Sequence, residues 1–212
     1  MARVTTSSAR QPAAAPQTSG QILDVAERLA QTRGFNGFSY ADIAAELGIT
    51  KASLHYHYPT KADLGRALID RYSTTFAAAL AGIEESGVAR PAQLERYVAI
   101  YAEVLKAGRI CLCGMLAAEY TTLPAVMQDA IRGFFDVNER WLSRVLESGR
   151  KDGSLAFEGA PADAARAITS ALEGAMLLAR PYGGAERFKS AAQRVLREFA
   201  PAAKTKKKSS KA

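Results

Sequence analysis

The sequence predicts an all-α protein of about nine helices, an N-terminal three-helix unit followed by a larger helical bundle. Three observations carry this. From Gln21 onward apolar residues recur at three- and four-residue steps, no stretch keeps the strict alternation of a half-buried strand, and Gly and Pro fall where such stripes end. No internal repeat of solenoid period interrupts the pattern.

Ile22, Val25, Ala26, Leu29 and Ala30 form the stripe of a first helix, which Gly34 ends. Ser39 then offers a side-chain oxygen as N-cap, with Asp42 in the capping-box position, and a short second helix turns Ile43, Ala44 and Leu47 inward. Gly48 stops it in the left-handed conformation, and Thr50 caps a third helix that begins at Lys51 and faces Leu54 inward. A linker of about two residues forces a steep crossing, the helix-turn-helix geometry. Pro59 ends the third helix because it pushes the residue before it out of the α region. Thr60 and Asp63 start a fourth, through Leu64, Leu68, Tyr72 and Phe76.

Beyond Gly82 the chain reads as a bundle, with Pro91 opening one helix and Gly108 breaking before the next. Pro124 starts a long amphipathic helix carrying Val126, Ile131, Phe134, Phe135, Trp141, Val145 and Leu146, which stops between Gly149 and Gly153. Pro161 opens another, and the Pro181 to Gly184 run separates it from a last helix ending near Ala200. The domain reading is a disordered tail over 1–18, a helix-turn-helix domain over 19–65, a ligand-binding and dimerisation domain over 66–200, and a Lys-rich disordered tail over 201–212.

A net charge of +7 invites a nucleic-acid partner, but its location weakens the argument. Arg3 and Arg10, with Lys204, Lys206, Lys207, Lys208 and Lys211, account for the whole excess, so residues 21–200 are neutral overall. The tails add at most sequence-independent phosphate attraction. The absence of a signal-peptide pattern and of any long apolar run predicts neither export nor membrane insertion, which places the protein in the cytoplasm. Cys111 and Cys113, two residues apart, point about 200° apart on a helix and read as reduced thiols.

The case for DNA lies in residues 39–61, SYADIAAELGITKASLHYHYPTK. Ala52 and Ser53 are small enough to let the third helix approach the major-groove floor, where base edges are read. Tyr56 and His57 can donate to phosphate oxygens, and Lys51 and Lys61 supply charge where backbone contacts are expected. A His55–His57 metal pair is disfavoured, because two-residue spacing puts the rings on different faces. Tyr58 reads as core.

The stretch from Gly34 to Leu64, with G-F, S-x-x-D-I-A, L-G-I and K-A-S-L-H-Y-H-Y-P-T-K-A-D-L, resembles the DNA-binding domain of TetR-type (tetracycline-repressor-like) regulators. The resemblance covers the N-terminal quarter. It implies that Thr50, Lys51, Ala52, Ser53, His55, Tyr56, His57 and Lys61 match DNA-facing positions, with Ser39 at a phosphate-contacting cap. His55 departs from the pattern, since an aromatic residue commonly follows Leu54 there. It also implies a helical C-terminal domain that binds a ligand and dimerises through its last two long helices. The run from Arg109 to Tyr120 resembles the C-L-x-G-x-L-A-x-E stretch of a subset of these regulators, in which a cysteine matching Cys111 is linked to electrophile sensing.

A sensing thiol needs thiolate character, for which Arg109 and the helix start are the candidate sources. The competing reading of both cysteines is small buried hydrophobes. Candidate pocket residues are Phe76, Tyr101, Cys111, Met115, Tyr120, Phe134, Asn138, Trp141 and Met176, most of them equally compatible with core packing. Ala164, Ala167, Ile168, Ala171, Leu172, Ala175 and Leu178, then Phe188, Ala191, Val195, Leu196 and Phe199, form stripes fit for a four-helix interface between two subunits or for the core of one.

The expected function is a homodimeric repressor on a palindromic double-stranded DNA operator, released by a small, largely apolar effector, or alternatively a thiol-based sensor through Cys111. With two histidines, both in the DNA-facing stretch, and no nucleophile–base or metal-spaced constellation, no catalytic residue, metal or cofactor is expected. A nucleoid-type protein using the Lys tail remains the other competitor, separable by deleting residues 201–212.

Overall fold

In the computed structural model the described residues are 16–201, and they fold into nine α-helices with two short 3-10 turns and no strand. The tails expected at either end lie largely outside these residues. The helices are α1 (Pro16–Arg33), α2 (Tyr40–Leu47), α3 (Lys51–His57), α4 (Lys61–Glu85), α5 (Arg90–Lys106), α6 (Leu112–Ala118), α7 (Ala125–Asp152), α8 (Pro161–Ala179) and α9 (Ala185–Arg197). None is long and apolar enough to cross a membrane.

The local stop and start signals act as their chemistry requires. Ser39 and Asp42 form a complete capping box on α2, Thr60 and Asp63 another on α4, and the Thr50 side chain accepts the Ser53 amide at the start of α3. Gly48, at φ 64°, ends α2 with its amide bonded to the Ala44 carbonyl.

Two boundaries differ from the sequence expectation. α1 begins at Pro16, ahead of the apolar stripe, and the Ser19 hydroxyl lies 2.8 Å from that of Tyr58, an anchor that periodicity does not register. α4 runs through Gly82 to Glu85, and it is Gly87, at φ 66°, that takes the left-handed turn. The division expected between residues 65 and 66 therefore falls inside one continuous helix.

α1 to α3 pack with the start of α4 around Ile22, Leu29, Ile43, Leu54 and Leu64, all without solvent access or nearly so. Burying a leucine such as Leu54 contributes about 2 kcal/mol. α7 packs on α4 and α8, α8 packs on α9, and α5 bridges α7 and α9, so the second half is a bundle wrapped around α7. The buried residues of both halves belong to one contiguous cluster. α6 sits at the junction, touching α1, α4 and α7.

Candidate functional site

The steep α2–α3 crossing presents α3 on the outside of the molecule. Leu54 and Tyr58 are buried, while Lys51, Ala52, His55 and Tyr56 are exposed, Tyr56 to 76%, and Ser53 and His57 are half-buried. The Tyr56 ring stands clear of the core and meets the His57 ring edge to face at 5.2 Å. The Tyr40 hydroxyl lies 2.7 Å from the Tyr58 and Thr60 carbonyl oxygens and so fixes the turn behind α3. Burial and the nearby Asp63 push its ionisation up to about 12, which keeps it a donor.

The remaining DNA candidates divide by what already occupies them. The Ser39 hydroxyl donates to Asp42 at 2.7 Å, whereas Thr50 Oγ1 only accepts, from the Ser53 amide at 3.2 Å, leaving its own proton for an outside acceptor. The His55 ring lies 4.8 Å from that of Tyr40, tilted by 52°, and its Nδ1 lies 3.0 Å from the Pro59 carbonyl oxygen, so the ring braces the turn with one nitrogen. Lys61 turns inward. Its ammonium donates inward to the Phe35 and Phe38 carbonyls at 2.6 and 2.5 Å and sits 4.6 Å over both rings. Burial lowers its pKa, opposed by Glu119 and Asp42. Lys61 thus ties the α1–α2 loop to α4.

Comparison with known proteins decides what this arrangement belongs to. Residues 22–68 match the pattern described as bacterial regulatory proteins, tetR family, and residues 87–195 match the tetracyclin repressor-like C-terminal domain. The chain belongs to the TetR family. The HTH-type transcriptional repressor NemR of Escherichia coli is 28% identical over 173 residues, 77% of this chain and 84% of that protein. The transcriptional regulator AcuR of Cereibacter sphaeroides is 28% identical over 152 residues, 70% of this chain and 69% of its own. A TetR-family regulator from Agrobacterium tumefaciens superposes with a TM-score of 0.84 at 32% identity, over 88% of this chain and all of that one. The chain is thus a DNA-binding transcriptional regulator in which the α2–α3 unit is the helix-turn-helix.

In this TetR-family chain the reading head is joined to the bundle by more than α4. The Glu119 carboxylate, just past α6, accepts the Phe35 amide at 2.7 Å and the Asn36 amide at 3.3 Å, and Asn36 Nδ2 donates to Thr122 at 2.8 Å. Arg180, after α8, donates to the Thr32 carbonyl. Gly34, at φ 85°, admits the carboxylate: a Cβ there would lie 2.5 Å from Glu119 Oε1.

The centre of the bundle is aromatic. Phe76 meets Phe134 at 5.2 Å and Tyr101 at 6.0 Å, Tyr97 stacks on Trp141 at 5.6 Å, and the Tyr97 and Tyr101 hydroxyls are 3.0 Å apart. Of the expected pocket residues, Phe76, Phe134 and Asn138 share a cleft of about 240 Å³ between α4 and α7, with Ser73, Thr74, Ala77 and Val137. Tyr101, Trp141 and Met176 are buried in the core but do not line it, and Met115 is partly buried on α6. Tyr120 stands apart, bonded to Arg132 near the surface. A wider groove of about 780 Å³ lies outside, between α5 and α9.

Cys111 caps α6, its Sγ accepting the Gly114 amide at 3.4 Å, and is 2% exposed. The charge facing it is the Glu173 carboxylate, not the Arg109 guanidinium that the sequence suggested. Burial, then Glu173 and Cys113, push the Cys111 thiol well up, so it rests as S–H. Sequence reasoning missed Glu173, and missed that Tyr72 and Tyr97 lie close enough to Cys111 and Glu173 to sense their charge. One signal for Glu173 existed: it is the only charged residue between Arg166 and Arg180 on an otherwise small and apolar helix.

Proposed function

We propose that this chain is a homodimeric repressor that occupies a palindromic operator and leaves it when a small, largely apolar ligand enters the cleft between α4 and α7. The observation that carries the reading is the continuity of α4, which starts two residues after α3 ends its turn at Tyr58 and Pro59 and reaches Phe76 in the cleft wall without a break. A ligand favouring a different α4–α7 spacing shifts the population of head positions by its differential affinity for the two states. A cleft of about 240 Å³ is below the usual range for drug-sized ligands and favours a small effector.

Dimerisation is assigned to α8 and α9. Ile168, Leu172, Met176 and Phe188 serve the core of their own chain, but Leu177, Leu178 and Tyr182 stand exposed, Leu178 to 63%, with Ala171 and Ala175 half-buried on the same helix. Two-fold symmetry then sets two α3 helices on successive half-sites. DNA contacts are assigned to Thr50, Lys51, Ala52, Ser53, Tyr56 and His57, with the cytoplasm as the place of action. In a gel-retardation assay at physiological salt the protein should shift a palindromic fragment of its own promoter region and release it on adding effector. Equal affinity for scrambled DNA of the same length defeats the reading.

A second reading is effector sensing through the Cys111 thiol, which burial and the Glu173 carboxylate hold as S–H in the resting protein. It is also consistent with the likeness, at 26% identity and a TM-score of 0.75, to an E. coli NemR structure described as the reduced form.

A further inference from the structure

The strongest unassigned chemistry in the molecule is the approach of Glu173, on α8, to Cys111, at the head of α6. Gly114 makes it possible. A Cβ on Gly114 would lie 2.2 Å from Glu173 Oε2 and 3.5 Å from Cys111 Cβ, so the missing side chain is the space the carboxylate occupies. Oε1 of the same carboxylate is buried with no hydrogen-bond partner. Burial pushes this carboxyl up to about 7, offset in part by the Cys111 thiol. The other titratable groups that sense this carboxylate are Cys113 of α6, Tyr72 of α4, and Tyr97 and Tyr101 of α5. Among the described residues no Lys, Arg or His acts on it.

The geometry points to Glu173 as the proton acceptor that arms Cys111 for addition to a small electrophilic carbonyl compound, an α,β-unsaturated aldehyde or ketone. This rests on the second reading above and supplies its missing step. A thiol held as S–H by burial and by a neighbouring negative charge is a poor nucleophile, but it needs no standing thiolate if a base takes its proton during attack. Tyr72, Tyr97 and Tyr101 are all pushed further from ionisation by burial and keep their protons, which leaves the carboxylate as the acceptor. A base that ionises near neutral pH is matched to that task.

The step balances without an oxidant. Cys111 Sγ bonds to the β carbon, the C=C pair moves toward the carbonyl oxygen, and the thiol proton passes to Glu173. Glu173 then returns that proton to the α carbon of the enolate, so the net change is addition of S–H across the double bond. The adduct would compete with the Glu173 carboxylate for the space at Gly114 and so displace α6, at whose far end Glu119 holds the Phe35 and Asn36 amides.

The test is the pH dependence of alkylation by methyl vinyl ketone, followed on the full-length protein by intact mass and located by peptide mapping. In the wild type the rate at Cys111 should rise through an inflection near pH 7. Glu173→Gln should lower the rate at pH 7 at least ten-fold and move the inflection into the alkaline range of the thiol itself, while unliganded operator binding persists. Equal rates and profiles in the two proteins overturn the role of Glu173 and leave Cys111 sensing intact. A wild-type inflection above pH 9 overturns it equally, whatever the fold of the variant. No adduct on Cys111, with the urea-unfolded chain reacting normally, overturns both.

Discussion

The Glu119 carboxylate bonds the Phe35 amide at 2.7 Å across a sequence distance of 84 residues, joining the end of α6 to the end of α1. The acceptor is charged and the donors are backbone amides at the rim of the reading head. Glu119→Ala should therefore loosen the head without emptying the core. The expected cost is about 2 kcal/mol in denaturant unfolding, with a larger proportional loss in effector-driven release than in operator affinity. Gel retardation with and without effector separates the two.

Gly34 and Gly48 both have positive φ but different surroundings. Gly34→Ala meets the Glu119 carboxylate, while the space at Gly48 is open. Alanine at 48 should cost about 1 kcal/mol, the left-handed penalty alone, and alanine at 34 clearly more, with operator affinity falling in parallel. Equal losses of melting temperature at the two positions contradict a structural role for the Glu119 carboxylate seated against Gly34.

Two lysines flank α3 and should behave differently. Lys51 is exposed at its head, so Lys51→Ala should weaken binding across all DNA sequences and reduce the slope of log affinity on log salt by about 1. Lys61→Met removes the bonds to the Phe35 and Phe38 carbonyls, and should lower thermal stability while leaving that slope nearly unchanged.

The raised pKa of Glu173 has a definite sign in stability. Its folded value, about 7, lies above the ordinary 4.5, so the folded protein holds the proton more tightly than the unfolded chain between those values. Stability from this group is complete below pH 4.5 and lost as pH rises through 7. At about 1.4 kcal/mol per unit the span is up to about 3 kcal/mol. Glu173→Gln should flatten that part of the curve and leave the variant the more stable protein at pH 8, as read by urea unfolding.

Leu178 is the sharpest point at which to test the dimer. Leu178→Glu places a charge on a half-apolar face that the core of its own chain does not use. Sedimentation should show monomers with an unchanged helical signal, and operator retardation should be lost because one head covers only one half-site.

The reading head was legible because its signals are local: a cap and its partner lie three residues apart at Ser39 and Asp42, and Gly48, Thr50 and Pro59 act on their immediate neighbours. The orientation of Lys61 was not legible. Its partners are carbonyls 26 and 23 residues back, and a lysine beside a DNA-reading helix looks the same from sequence whichever way it turns. Glu119 and Glu173 escaped for the same reason, since each is defined by a backbone or thiol brought to it by packing. Helical periodicity found α7 and α8 but could not say which apolar residues of α8 face inward, because Leu172 and Leu178 stand on different sides of one stripe of small residues.

Trp141, stacked on Tyr97 in the aromatic centre, is the single tryptophan of the chain. Its emission therefore reports on the bundle alone, and α1 to α3 contribute none. Effector entry and DNA docking can be followed on the same unlabelled sample, one by ultraviolet fluorescence and the other by a dye on the operator, so a ligand that binds without releasing DNA would be recognised at once.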